Sequence, residues 1–228
     1  MERRRKRIAE LYYLSNSVQF VEHEMSVHQE DPTAPLTPYY LHYPKPDEPG
    51  SAFLPELYSL IGEEFFTICE AQNPPIRPAR LAGVPDGATP LAAEHASHYR
   101  TDKKNVLTFM KLGKNGPSVF MGPDGEFNIG DELLIDDDHT SGGRNKRLVR
   151  AAAVSAGLVV PRMLTVVDRQ QGAVENMRRD GVEFLSIFTA AELLDYGASH
   201  FGVSREQIAE IEEYTVKNQY KLTQLQDA

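Results

Sequence analysis

The chain is poor in cysteine, in long apolar runs and in positive charge. Its single cysteine, Cys69, excludes an internal disulfide bond and favours a cytoplasmic location. No apolar run approaches the roughly 20 residues of a membrane-spanning helix. The basic block at residues 3–7 is not followed by the apolar core of a secretory signal, and a solvated helix start is expected there. The formal net charge of -9 argues against binding to duplex nucleic acid, but it leaves room for a local basic pocket that binds a small anion.

The composition is that of a globular protein, with 41% hydrophobic and 25% charged residues among 228. Beyond residue 72, short apolar runs alternate with helical patterns. The apolar runs occupy residues 80–84, 106–110, 132–135, 163–167 and 184–188, and the helical patterns 88–99, 143–156, 172–179 and 190–201. This alternation predicts an α/β fold with a parallel sheet flanked by helices.

Three segments are expected along the chain. Residues 1–50 hold a first amphipathic helix with apolar positions from Ile8 to Val21, then a proline-rich stretch with a possible short strand at 39–41. Residues 51–203 form the core, which opens with a helix over 51–72 capped by Ser51. Residues 204–228 form a C-terminal helix, because Ser204 and Gln207 have the spacing of a capping box. The glycine-rich connection at 111–130 predicts a functional lid or a disordered insert.

The stretch LLIDDDHTSGG places three acids, Asp136 to Asp138, at the end of an apolar run and directly before a hydroxyl- and glycine-rich turn. In parallel α/β sheets, ligands bind at the carboxyl ends of the strands. Free N–H groups at the start of the following helix favour a phosphate. Carboxylates beside that phosphate would repel it unless they hold hydroxyl groups or a cation. A ribose 5-phosphate satisfies both conditions.

A ribose-phosphate site has several competitors at this stretch. The acids could merely end a strand and cap a helix. A dinucleotide-binding site of the Rossmann kind is excluded because no G-x-G-x-x-G sequence opens the first strand-to-helix turn, and the P-loop sequence is also absent. A phosphatase with an aspartyl nucleophile would carry its acids at the first core strand, whereas these acids follow about the third.

The stretch resembles the phosphoribosyl-diphosphate motif of type I phosphoribosyltransferases. Four further segments resemble those of orotate phosphoribosyltransferases and occur in that family's order: TPYYL at 37–41, GVPDGATPLA at 83–92, MKLGKNG at 110–116 and VVDRQQGAVENM at 166–177. The resemblance covers roughly residues 37–194. It implies a type I phosphoribosyltransferase-like sheet with a small N-terminal base-binding hood and an extra C-terminal helix. The implied reaction transfers phosphoribose from phosphoribosyl diphosphate to orotate, as in pyrimidine biosynthesis.

The resemblance also implies roles for single residues. Asp136 and Asp137 would hold the ribose hydroxyls, and the turn formed by Thr140, Ser141, Gly142 and Gly143 would hold the 5-phosphate. The loop formed by Gly83, Val84, Pro85, Asp86 and Gly87 would wrap the pyrophosphate. Arg169 would bind a carboxylate or carbonyl of the base, and Tyr40 would line the base pocket. Lys111, Lys114 and Asp137 are the expected catalytic residues.

The family's chemistry further implies Mg²⁺, held mainly by substrate and water with no direct protein ligand, and a homodimer in which the lid reaches into the neighbouring subunit. No membrane or nucleic-acid partner is expected. The sequence departs from the family at the lid, where Met110 replaces the usual arginine, Asn115 the usual aspartate, and no histidine follows Lys114. Two alternatives therefore stay open: transfer to a different base, or a ligand-sensing module without turnover. A solvated lid, a core role for Tyr40 and a solvated His139 also stay open.

Overall fold

The computed structural model describes residues 2–25, 28, 32–85, 87–99, 106–111, 117–121 and 127–220, with the backbone alone for 106–111 and 117–121. Within these ranges the helices are α1 Arg3–Leu14, α2 Leu54–Glu70, α3 Thr89–His98, α4 Arg144–Ser155, α5 Ala173–Arg179, α6 Ala190–His200 and α7 Arg205–Lys217. The strands are β1 Val18–Gln19, β2 Tyr40–Leu41, β3 Arg80–Gly83, β4 Val106–Lys111, β5 Pro117–Met121, β6 Glu132–Thr140, β7 Val159–Asp168 and β8 Glu183–Thr189. Among the described helices, none combines the length and the apolar character needed to cross a membrane.

The main sheet has six strands in the order β5-β4-β3-β6-β7-β8. Each of the pairs β3–β4, β3–β6, β6–β7 and β7–β8 is parallel, and β5 lies antiparallel to β4 at one edge. Helices connect the parallel strands. The prediction of an α/β fold with a parallel sheet flanked by helices is confirmed.

The centre of the sheet is apolar on both faces. Leu133 and Ile135 in β6, and Met163, Leu164 and Val166 in β7, have no solvent-exposed surface. A strand covered by helices on both sides buries every side chain, so continuous apolar runs mark it better than alternation does. Both strands continue beyond the predicted runs, and β6 extends through the acids to Thr140. The acids thus belong to the strand itself.

The first helix ends earlier than predicted. It stops at Leu14, and Asn16 adopts a left-handed conformation with φ 60°. Val18, expected on the helix, lies instead in β1. The prediction was too long because the apolar spacing continues through Val18 and Val21. The helix is interrupted at Asn16 by a left-handed backbone conformation, which the apolar spacing does not show.

The basic block at the start of α1 is not simply solvated. Arg4 and Arg5 both donate to Glu64 of α2, at 2.9 and 2.6 Å, and Glu64 is 1% exposed. Arg7 donates to Glu56 on the same helix at 2.8 Å. The block therefore joins α1 to α2, in place of the predicted solvated start.

The start of α2 also differs from the prediction. Ser51 begins a short 3-10 turn, Ser51–Phe53, and its hydroxyl donates to the carbonyl of Pro46 at 2.9 Å. The α-helix begins at Leu54, without a side-chain cap. By contrast, the capping box predicted at the C-terminal helix is confirmed, since Ser204 accepts from the N–H of Gln207.

The glycine-rich connection at 111–130 is not wholly irregular. It contains β5, which pairs with β4 so that Lys111 lies opposite Pro117. The expectation of a structureless connection is wrong for these residues, because a hairpin can form between two glycine-containing stretches. Lys114 and Asn115 lie outside the described residues.

Helices α2 and α3 approach closely at Gly62. A Cβ atom on Gly62 would lie 2.7 Å from the carbonyl carbon of Glu94 and 2.8 Å from the backbone nitrogen of His95. No real Cβ tolerates these distances without movement of the neighbouring backbone. The glycine thereby sets the position of α3 against α2.

Strand β2, in the proline-rich segment, pairs antiparallel with β1, which precedes that segment, and this confirms the short strand predicted near 39–41. We call residues 18–43 the hood. The hood is joined to the main sheet through Tyr12 and Tyr43, whose hydroxyls lie 2.7 Å apart, and through His139 of β6, whose Nε2 is 3.1 Å from the Tyr12 hydroxyl. This junction brings the hood over the carboxyl end of β6. The division of the chain at residues 50 and 203 into separate units stays a prediction.

Candidate active site

A cavity of about 630 Å³ lies where the carboxyl ends of β6 and β7 face the hood. It is of the size that holds a small-molecule ligand. Its walls come from three parts of the chain. The hood contributes Glu24, Met25, Ala34, Pro35, Tyr40 and Leu41; the ends of β6 and β7 and the start of α4 contribute Asp138, His139, Ser141, Gly142, Gly143, Arg144, Asn145, Lys146 and Arg169; the C-terminal region contributes Tyr214, Lys217, Asn218, Gln219 and Tyr220.

Asp136 points away from this cavity, into the core. It has no exposed surface, and its Oδ2 lies 2.8 Å from Nδ1 of His95 on α3. Burial alone would lower the pKa of His95, but the charge and the hydrogen bond of Asp136 outweigh it and raise the pKa to about 9. The pair is therefore ionic at neutral pH. The predicted contact of Asp136 with ribose stays a prediction, and in this structure its carboxylate is held by His95.

Asp137 faces the opposite side of the strand and forms an ion pair with Lys146 of α4. Both side chains are 5% exposed. Burial lowers the pKa of Lys146 to about 7, although the carboxylate of Asp168 favours the charged form. Lys146 also donates to the carbonyl oxygen of His139 at 3.3 Å. This buried pair lies beneath the turn predicted to hold the 5-phosphate.

Asp138 is the one of the three acids that faces the cavity. Its side chain is 27% exposed, and a Cβ on Gly87 would lie 2.5 Å from its Oδ2. The β3–α3 loop thus passes directly beside the acid cluster. Gly83, Val84, Pro85 and Gly87 are nevertheless absent from the cavity wall, and Asp86 lies outside the described residues.

His139 is buried rather than solvated, with 8% of its side chain exposed. Its ring packs edge-on against Tyr12 at a centroid distance of 5.7 Å. Burial lowers its pKa to about 4, so the ring is neutral at physiological pH. A neutral, buried imidazole joined to Tyr12 supports the hood and presents one edge to the cavity.

The predicted phosphate turn divides into a buried start and an open end. Thr140 is fully buried, and its hydroxyl donates to that of Thr165 on β7 at 2.9 Å. Gly143 has φ 86°, a left-handed conformation that turns the chain into α4. Glycine adopts this conformation without the steric strain that a side chain would cause. Ser141, Gly142 and Gly143 border the cavity. The N–H groups at the start of α4 and the cations Arg144 and Lys146 make this end attractive to an anion.

Arg169 lies where β7 leads into α5 and is 2% exposed. One guanidinium nitrogen donates to the Thr37 hydroxyl at 2.8 Å and to the carbonyl of Tyr39 at 3.2 Å. The guanidinium stacks on the ring of Tyr39, 4.0 Å from its centroid. Within the described residues, its Nε has no hydrogen-bond partner. A buried donor without a partner is costly, so the group is poised to bind an acceptor.

Tyr40, predicted to line the base pocket, does border the cavity. Its ring stacks on that of His42 with centroids 4.8 Å apart and lies 3.6 Å from that of His23. Lys111 ends β4, where the backbone alone is described, and Lys114 lies outside the described residues. Their proposed contact with a leaving group stays a prediction.

The comparisons with known proteins point in one direction. No family model matches the chain. The orotate phosphoribosyltransferase of Natronomonas pharaonis is 34% identical over 116 residues, which are 51% of this chain and 65% of that protein. The chain thus spans just under two thirds of the length of this curated relative.

In sequence, this chain is similar to orotate phosphoribosyltransferases. Solved structures agree at the level of the fold. The UMP synthase of Leishmania donovani superposes with a TM-score of 0.73 and 21% identity over 93% of this chain and 42% of that chain. The orotate phosphoribosyltransferase of Aeropyrum pernix gives 0.62 and 20% identity over 82% of this chain and 97% of that chain. The fold is therefore that of the phosphoribosyltransferases.

The sequence did not predict three residues of the candidate site. His95 holds Asp136, Lys146 holds Asp137, and Tyr39 carries the stacked Arg169. Lys146 had a usable signal, since the basic run RNKR directly follows the phosphate turn. His95 had none, because 41 residues separate it from Asp136 along the chain.

Proposed function

We propose that this protein transfers the phosphoribosyl group of 5-phosphoribosyl 1-diphosphate to orotate, giving orotidine 5-phosphate and pyrophosphate. The observation that carries the proposal is the cavity itself, which has an anion-attracting turn on one wall and a buried, partly unpaired arginine on another. A ligand with a phosphate at one end and an acidic planar base at the other matches both walls. Sequence similarity to the orotate phosphoribosyltransferases supports the same choice.

The sugar diphosphate would bind with its 5-phosphate at the turn Ser141–Gly143. The helix start there offers backbone N–H groups, and Arg144 and Lys146 add positive charge. Lys146 already contacts Asp137. A phosphate that attracts this lysine would release the carboxylate toward the ribose hydroxyls, the role proposed for Asp137. Asp136 would not touch the ligand. Its ion pair with His95 would fix the position of the end of β6.

The base would bind between Tyr40 and Arg169. A guanidinium can hold a carboxylate with two parallel hydrogen bonds, and orotate carries one carboxylate. The nitrogen bound to Thr37 and Tyr39 fixes the plane of the group, and the unpartnered Nε leaves donor capacity for the ligand. A base without an acidic group would satisfy this arginine less well.

The bond between the sugar carbon and the pyrophosphate oxygen would break as the base nitrogen forms its bond to that carbon, and the proton of this nitrogen would pass to the departing pyrophosphate. Cations are needed where the leaving oxygen gains negative charge. Lys111 and Lys114 of the predicted lid would supply positive charge, and closure of the lid would exclude water.

The described residues contain no group of three or more His, Cys, Asp or Glu side chains that could hold a metal ion. Asp138 is the partly exposed carboxylate of the cavity wall and suits contact with a hydrated cation. We propose that Asp138 would face the water shell of a bound Mg²⁺, whose ligands would come mainly from substrate and water, and that the ion would neutralise negative charge on the leaving group.

One observation favours a second candidate, a ligand-sensing protein without turnover. Both motif acids, Asp136 and Asp137, are engaged by protein cations, His95 and Lys146. If these pairs persist with ligand bound, the acids cannot hold the ribose hydroxyls. Such a protein would bind the sugar diphosphate and the base but would not join them.

A single assay separates these candidates. Purified protein is mixed with Mg²⁺, phosphoribosyl diphosphate and a panel of purine and pyrimidine bases, and released pyrophosphate is measured. Release with orotate supports the proposal, whereas release only with another base redirects it to a different substrate. Binding of both ligands by calorimetry without any release supports the sensor.

We further propose a cytoplasmic homodimer in which the lid of one subunit reaches the neighbouring site, as the resemblance implies. Light scattering on the purified protein measures its mass in solution. Mixing a Lys114→Ala variant with an Asp137→Asn variant tests the shared lid, because mixed dimers would regain one intact site. No recovery of activity after mixing would argue against sharing.

A further inference from the structure

The described residues that follow α7 lie directly on the candidate site. We define residues 218–220 as the C-terminal strap. The strap follows α7 and lies against two loops: the phosphate turn Thr140–Gly143 and the segment Arg169–Gly172, which we call the base loop. Neither the proposed transfer nor the predicted roles of the site residues use it.

The strap is bound to the base loop through backbone and side-chain hydrogen bonds. The N–H of Tyr220 donates to the carbonyl of Gln171 at 3.0 Å, and the side chain of Gln171 donates to the carbonyl of Asn218 at 3.2 Å. The side chain of Gln219 donates to the carbonyl of Gln170 at 2.9 Å. Gln171 is 1% exposed, so its bond to the strap is sheltered from water. The strap is therefore fixed at several points.

One buried amide joins the strap to the phosphate turn as well. Nδ2 of Asn176, on α5, donates to the carbonyl of Gly142 at 2.9 Å and to that of Tyr220 at 3.0 Å. Asn176 is 2% exposed. Without the strap, one proton of this amide would lose its acceptor in a buried place, which is unfavourable. The strap and the phosphate turn thus share one anchor.

Glycines lie where the strap makes its closest contacts. A Cβ on Gly142 would collide with the Cβ of Tyr220, and a Cβ on Gly172 would lie 2.7 Å from the carbonyl oxygen of Tyr220. Gly172 has φ 103°. Glycine loops are flexible unless neighbouring groups restrain them, and a flexible loop binds its ligand at an entropic cost. The strap supplies that restraint for both loops.

We propose that the C-terminal strap is a positioning element of the site: by holding the phosphate turn and the base loop together, it fixes the distance between the bound 5-phosphate and Arg169. This role rests on the proposed phosphoribosyl transfer. Tyr220 is the central positioning residue, since it contacts both glycines and is hydrogen-bonded to Gln171 and Asn176. It acts through the loops and need not touch the reacting atoms.

The first test needs no substrate. Amide hydrogen exchange is measured for peptides covering 140–143 and 169–172 in the full chain, in a chain ending at Tyr220 and in a chain ending at Lys217. We expect exchange in both peptides to be at least tenfold faster in the shortest chain alone, with residues 80–83 of β3 unchanged. Equal exchange in the two shortened chains would overturn the proposal. Faster exchange throughout the molecule would also overturn it, because it would indicate general destabilisation.

The second test uses the reaction. Ending the chain at Lys217, or Tyr220→Gly, should raise the KM for phosphoribosyl diphosphate at least tenfold while kcat falls less than threefold. Tyr220→Phe should restore values within twofold of the full chain, because the close contacts are made by the backbone and Cβ. A loss in kcat alone, or equal failure of Tyr220→Phe, would refute the positioning role. Absence of pyrophosphate release by the full chain would refute the proposed transfer and leave the exchange comparison to judge the strap.

A third comparison uses the close contact itself. Gly142→Ala should weaken phosphoribosyl diphosphate binding more in the full chain than in the chain ending at Lys217, since Tyr220 is then absent. An equal loss of affinity in both chains would mean that Gly142→Ala acts within the phosphate turn itself. That result would contradict the proposed role of the strap.

Discussion

The ends of the neighbouring strands β6 and β7 carry the groups of the candidate site, but they are built in different ways. At β6 the acids are held from within the core: Asp136 by His95 of α3 and Asp137 by Lys146 of α4. At β7, Arg169 is held by two buried residues of the hood, Thr37 and Tyr39. The proposed sugar side therefore depends on the folded core, whereas the proposed base side depends on a separate segment. Changes at β6 should alter stability and sugar binding together, and changes at β7 should alter base binding alone.

The largest expected effect is at the Asp137–Lys146 pair. Lys146→Met leaves the carboxylate of Asp137 buried without its partner, and removal of one member of a buried pair costs about 3–5 kcal/mol of stability. Urea unfolding measures the change. Lys217→Ala is the matched control, because that lysine is 68% exposed and its loss should cost below about 0.5 kcal/mol. A loss below about 1 kcal/mol for Lys146→Met would show that the core does not depend on this pair.

The next effect is the pH dependence given by His95. Its pKa is about 9 in the folded chain and near 6.5 when unfolded. Because the folded pKa is the higher one, the stabilisation is fully present below about pH 6.5 and is lost as the pH rises through 9. The loss amounts to roughly 3 kcal/mol for a shift of this size.

Urea unfolding between pH 6 and 9.5 measures this loss. The variant His95→Gln keeps a hydrogen-bond donor but cannot titrate, so its stability should fall much less over the same interval. Parallel curves for the two proteins would mean that His95 is not the titrating group, and the ionic pair with Asp136 would have to be abandoned.

A smaller and more selective effect is expected at β7. Arg169→Lys removes the planar fork that Thr37 and Tyr39 hold, and orotate affinity should fall at least tenfold, about 1.4 kcal/mol. Affinity for phosphoribosyl diphosphate should stay within twofold, because the change lies on the base side. Calorimetric titration of each ligand checks both values. Arg162→Lys, at the other end of β7 and paired with Glu183, should change neither. Equal losses for both ligands would erase the proposed difference between the two strand ends.

The smallest effect is expected at Tyr40. Tyr40→Phe keeps the ring that stacks on His42, so orotate affinity should change less than twofold. Tyr40→Ala removes the ring and should lower that affinity several-fold. The same titration distinguishes them. If Phe proves as harmful as Ala, the hydroxyl and not the ring face is the important group.

The sequence predicts what depends on local pattern. Continuous apolar runs locate the core strands, and the order of residues alone locates the acid-rich end of β6. The pairing of Asp136 with His95 and that of Arg169 with Thr37 escape prediction, because the partners are far apart in sequence. The end of a helix is also not predictable from the sequence where a backbone turn interrupts an apolar spacing that continues beyond it, as at Asn16. The sequence therefore predicts which chemical groups lie at a strand end, whereas tertiary packing determines which charged groups pair with each other.

The close approach at Gly62 has a consequence for the comparison of related sequences. His95 reaches Asp136 only because α3 lies tightly against α2 at this glycine. A relative with a larger residue at position 62 would have to shift α3, and its acid cluster would change although every residue bordering the cavity was retained. Position 62 therefore has to be counted with the substrate-contacting positions when one asks which relatives share an activity.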